Sequence, residues 1–168
     1  MVTLENIEQH TIPFDQFRYK WRFTEEKYNV LPAHHLEQIK PLDKTASKML
    51  NNLTTAMFDG GSRLSPMRFS HIEWVRYVNT LEGEQETKKW LYRLGLPFDR
   101  EVYASWDSTT AAVTTWKLLV KYWSDFEYAD DLAIVDKSLR WALVFYHNDQ
   151  IEFGTNTKRT AKFAKTNL

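Results

Sequence analysis

At 168 residues, with 22 Lys and Arg against 22 Asp and Glu, the chain is long enough for one domain with its own core and carries no formal net charge. That balance argues against a protein whose main work is neutralising phosphates, and the absence of Cys rules out disulfides and thiolate metal ligands. Met1-Val2-Thr3-Leu4 begins neither a basic n-region nor an apolar h-region, and no run reaches the ~18 apolar residues of a membrane span, so the expected setting is cytoplasmic.

From Phe14 to Phe23 aromatic and basic residues interleave. Such a pattern serves nucleic-acid binders as a stacking platform, but Phe14, Phe17 and Trp21 at i, i+3 and i+7 fit better a short helix or arm that lays its rings on the body. A second helix start is expected at Thr24-Glu25-Glu26, broken by Pro32. His34-His35 is a poor metal pair, because adjacent helical positions point about 100° apart.

A core helix is expected from Pro41 to about Phe58, with Leu42, Ala46, Met49, Leu50, Leu53 and Met57 on one face and Gly60-Gly61 as its stop. The spacing of His71, Trp74, Val75, Val78 and Leu81 predicts a further helix from Ser65 or Pro66 to about Thr80, followed by a turn at Glu82-Gly83 and a helix over 84–94. Glu101 to Trp106 alternates as a half-buried strand does. Ala112, Trp116, Leu119, Val120 and Trp123 predict an amphipathic helix, N-capped by Asp107 or Ser108.

Beyond the helix the period shortens. Leu132–Val135, Arg140–Tyr146 and Gln150–Phe153 are β-like runs joined by the polar links 136–138 and 147–149, which reads as a meander. The expected class is α+β, a helical N-terminal half packed on a small, mainly antiparallel sheet, with the order β-α-β-β-β in the C-terminal half. Residues 1–154 form one domain in this reading, and 155–168, with Lys158, Arg159, Lys162 and Lys165, a basic C-terminal tail.

The candidate site follows from that meander. The start of its first strand and the end of its second lie side by side, so Asp125, Glu127, Tyr128, Asp130 and Asp131 share one rim with Tyr146, His147 and Asp149. Oxygen-rich ligands with one imidazole, Asp130, Asp131 and His147, suit a divalent ion, and a carboxylate–His pair suits general acid–base work. The EF-hand, P-loop, dinucleotide and nucleophile-elbow patterns are all missing, and no cofactor is implied.

Tyr122-Trp123-Ser124-Asp125-Phe126-Glu127-Tyr128 with Asp130-Asp131, then Trp141 to His147 and Ile151-Glu152-Phe153-Gly154, resembles a family of small uncharacterised proteins of gammaproteobacteria. That resemblance implies a bacterial cytosolic protein and brings no activity. The same outline is more loosely similar to α+β immunity-protein domains, which block toxins in bacterial competition. The favoured reading is an interaction domain of regulatory or immunity-like role that binds a protein partner through the acidic and aromatic rim, rather than nucleic acid or membrane. Its alternative is a metal- or small-ligand-binding enzyme using Asp130, Asp131, His147 and Asp149.

Overall fold

In the computed structural model, which describes residues 1–157, the aromatic N-terminal stretch forms two 3-10 turns, Ile7–His10 and Phe14–Gln16, and two short helices, α1 (Lys20–Thr24) and α2 (Ala33–Leu36). As its aromatic spacing predicts, this arm lays its rings on the body: Phe17 is buried, its ring centroid 5.6 Å from that of Trp106, and Phe14 and Trp21 pack against the core partly buried; Phe23, outside that spacing, is buried too. Thr24-Glu25 ends α1 instead of starting a helix, with the Glu25 N–H donating to the Trp21 carbonyl.

The short strand β1 (Lys40–Pro41) leads into α3 (Lys44–Thr55). Pro41 therefore belongs to a strand, and the helix starts where the Asp43 carboxylate accepts the Ala46 N–H at 2.8 Å. It ends at Thr55, short of Phe58, and Gly60 and Gly61, with φ of 86° and 129°, lie in the loop beyond it.

The largest departure is β2 (His71–Arg76), where a helix is expected. The segment pairs residue for residue with the last strand, from His71↔Thr155 to Arg76↔Gln150. Its β-branched and aromatic residues suit a strand, and pairing across the sheet outweighs a local 3.6-residue pattern. His71 is thus exposed at the start of this edge strand and not on the buried face of a helix.

Next comes α4 (Leu81–Arg93), capped by the Thr80 hydroxyl, which accepts the Gly83 N–H at 3.0 Å. Gly83 sits in the first turn of this helix, not in a turn before it, because any Cβ there would collide with the Val78 carbonyl oxygen. Gly83→Ala is expected to cost about 1–3 kcal/mol, read as a lower denaturant midpoint at unchanged slope.

β3 (Glu101–Asp107) and β4 (Thr110–Thr115) form a hairpin whose turn is fastened by Asp107, its carboxylate accepting the Thr109 N–H at 2.7 Å. Asp107 and Ser108 therefore cap no helix. The helical chain begins with α5 (Trp116–Lys121), whose N-cap is Thr115, its hydroxyl accepting the Leu118 N–H at 3.2 Å, and continues as α6 (Trp123–Glu127). The meander follows as expected: β5 (Leu132–Val135), β6 (Trp141–Tyr146) and β7 (Gln150–Thr155).

All strand pairs are antiparallel and the order is β1-β4-β3-β5-β6-β7-β2, which makes the fold α+β with a seven-stranded sheet. Helices cover both faces. Val102, Ala104, Ile134, Leu143 and Phe145 pack with Trp116, Leu119, Trp123 and the N-terminal arm, while Tyr103, Val113, Val135 and Val144 pack with Leu50 of α3, Met57, Leu64 and Phe69. Each such large side chain, Trp116 and Leu119 among them at 0% exposure, contributes about 1.5–3 kcal/mol on leaving water. Among the described residues no helix is long and apolar enough to cross a membrane. β7 runs to Thr155, one residue into the expected tail, and Lys158, Arg159, Lys162 and Lys165 lie outside the described residues.

Candidate functional site

Register places the rim. Leu132 at the start of β5 stands opposite Phe145 near the end of β6, so the segment before β5 meets the turn after β6. The contact is direct. One Asp131 oxygen accepts the backbone N–H of His147 at 2.6 Å and lies 2.9 Å from its Nδ1, while Asp130 turns back to accept the Asp131 N–H at 2.8 Å. Asp149 holds the turn with φ of 63°.

The rim residues divide between two depressions. Glu127, Tyr128, Asp130 and Asp149 line a cleft of about 490 Å³, together with Tyr77, Glu84 and Arg22. Asp131 and Tyr146 line a groove on the α3 side of the sheet, and His147 borders both. Asp125 faces neither, being 2% exposed beneath the N-terminal arm.

Charge in the cleft is lopsided. Glu84, Glu127, Asp130 and Asp149 line it, and among the described lining residues Arg22 is the one side chain with a permanent positive charge. That guanidinium is already engaged: a terminal nitrogen lies 3.2 Å from buried Asp125, and its carbon sits 4.3 and 4.2 Å from the ring centroids of Tyr28 and Tyr128. Asn29 donates to the other Asp125 oxygen at 3.1 Å. Burial holds the Asp125 carboxyl above the usual carboxylate range, against the Asn29 hydrogen bond and the Arg22 charge.

Glu127 is pushed the same way. Burial raises its pKa, the Tyr77 hydroxyl donating to it at 3.0 Å opposes, and the Asp149 charge raises it again. A carboxyl whose folded pKa exceeds its ordinary 4.5 contributes most below that value, and the contribution is lost as pH rises through the folded pKa. Glu127→Gln keeps an acceptor for Tyr77 and cannot ionise. The melting temperature at pH 7 is therefore expected to rise by about 2–4 °C, with the gain fading on acidification below the ordinary value, checked by melts across the pH range.

Several cleft residues escape sequence reasoning. Arg22 and Asn29 come from the arm, the first visible only as a basic residue between Trp21 and Phe23 and the second without any signal, and Tyr77 lies in the segment expected as helix. His34 and His35 take no part in the site; the His35 Nδ1 is 2.6 Å from the Tyr122 hydroxyl. Among the described residues no three His, Asp or Glu side chains are grouped as a metal site requires, Asp130 and Asp131 being turned onto backbone and His147.

A family model described as "Protein of unknown function (DUF2947)" matches residues 11–154, a span that takes in both depressions. No curated protein and no solved structure matches the chain.

Proposed function

The chain belongs to the family described as Protein of unknown function (DUF2947), and from that premise we propose a small protein-interaction domain whose acidic, aromatic rim receives a basic side chain of a partner protein. The supporting observation is the charge of the cleft: Glu84, Glu127, Asp130 and Asp149 face a space whose arginine is committed to Asp125. A concave surface lined by one sign of charge focuses the field and speeds encounter with a partner of the opposite sign. Tyr128, 55% exposed and stacked on Arg22, supplies a rigid aromatic anchor at the lip. The reading carries with it a bacterial, cytoplasmic setting and a regulatory or immunity-like role.

The test is affinity capture from a bacterial lysate with the native chain and with Glu127→Gln plus Asp149→Asn, at about 0.05 and 0.5 M salt. One defined protein should be retained at least about tenfold better by the native chain, a difference of ~1.4 kcal/mol, and should be released by salt. Equal retention of the same proteins by both chains sinks the proposal.

A further inference from the structure

The second depression, on the α3 face, is built on different chemistry and shares only His147 with the acidic cleft among the described lining residues. Its floor is one row across three strands, Ser105 opposite Ala133 and Ala133 opposite Val144, with Glu152 of β7 next in the row beyond the lining. Two of these side chains are small, and α3 ends above them, so a groove of about 420 Å³ opens between the sheet, the last turn of α3 and the loop through Arg63.

Three features of the groove point to a ligand. First, the Ser105 hydroxyl lies on the floor at 3% exposure, with no hydrogen-bond partner among the described residues. A buried hydroxyl left without a partner costs free energy that a bound molecule would return. Second, the charged groups are already paired. The Arg63 guanidinium is held by the buried Glu152 carboxylate, which also accepts the Leu64 N–H at 3.0 Å and the Tyr146 hydroxyl at 2.8 Å, and Asp131 is held by His147. Third, the remaining polar lining is amides and hydroxyls, Asn51 and Thr54 of α3 beside Ser105, groups that both donate and accept, while the Gln150 amide of β7 accepts from Arg63.

We propose that this groove binds a small uncharged molecule bearing several hydroxyl groups. Alcohols match a lining whose amides and hydroxyls can both donate and accept, and a charged ligand would find no unpaired partner of opposite sign. The volume falls within the range of small-molecule sites. Free sugars and the ribose of a nucleoside share this chemistry.

Thermal melts of the full chain with D-ribose, D-glucose or uridine, each at about a hundredfold excess over the Kd found by saturation-transfer NMR, test it. At least one is expected to raise the melting temperature by about 5–10 °C. A shift with ribose or glucose assigns a free sugar, and a shift with uridine alone assigns a nucleoside. Ala133→Leu, which fills the floor, should abolish the shift; if that variant does not fold, Asn51→Trp, which blocks the mouth from the surface of α3, decides. The pair Glu127→Gln and Asp149→Asn should bind as the native chain does. No NMR signal and no shift with any of the three, or binding that survives the blocking variant, overturns the proposal.

Discussion

Asp125→Ala should destabilise the fold by about 3–5 kcal/mol at pH 7, one of the two largest losses we expect from a single substitution. The carboxylate is 2% exposed and answers both the Arg22 guanidinium and the Asn29 amide. Its removal strands a cation between two tyrosine rings, where the Arg22 side chain is only 13% exposed. Because burial raises the native Asp125 pKa, its ionised form is the costly one, so the native carboxyl supports the fold best in acid and less as pH rises through its folded pKa. Asp43, Asp107 and Asp136 run the opposite way. Hydrogen bonds from Thr109 to Asp107, and from Ser138 and Arg100 to Asp136, together with those of Ala46 and His10 to Asp43, outweigh burial and hold their pKa values below 3.8. Their stabilisation is present above that value and lost as pH falls through the folded pKa. Acid unfolding should therefore be driven by these three, and Asp136→Asn should flatten it whereas Asp125→Ala should not.

Arg63→Met is the second large effect, expected as a lower urea midpoint at unchanged slope. Glu152 is buried on β7 and would keep its bonds to Leu64 and Tyr146 but lose its counter-ion. The double variant Arg63→Met with Glu152→Leu removes both charges, and part of the loss should return, since Glu152 is the buried member of the pair and Arg63 is half exposed. If the double variant is instead less stable than Arg63→Met, the pair owes its worth to the Leu64 and Tyr146 bonds and not to the countercharge.

What could be read ahead of the structure tracks how local its causes are. Leu132–Val135 and Trp141–Tyr146 are apolar runs bounded by turn residues, so the meander and the meeting of Asp131 with His147 follow from neighbouring residues alone. The helix expected from Ala112 fails for an instructive reason. Ala112 on β4 and Trp116 on α5 are both buried, so an apolar stripe of helical period runs across a strand–helix junction without belonging to one helix. β2 is illegible because its partner is β7, far along the chain. The site divides likewise: the carboxylates near Glu127 stand out as a cluster, whereas Arg22, Asn29 and Tyr77 reach the cleft only through the fold.

The place of β2 at the sheet edge also sets an order of events during synthesis. It is made before α4 and before β3 to β7, yet among the described residues its one neighbour is β7, the last strand to leave the ribosome. Until then Ile72, Trp74 and Val75 have nothing to pair with, and closing so long a loop makes this step slow. The turn at 147–149 and Gln150 arrive with the same strand, so neither the cleft nor the groove is complete before it. Both depressions thus take shape only once β7 has been made, and a chain cut short before it would carry an unpaired aromatic edge as a mark for chaperones and proteases.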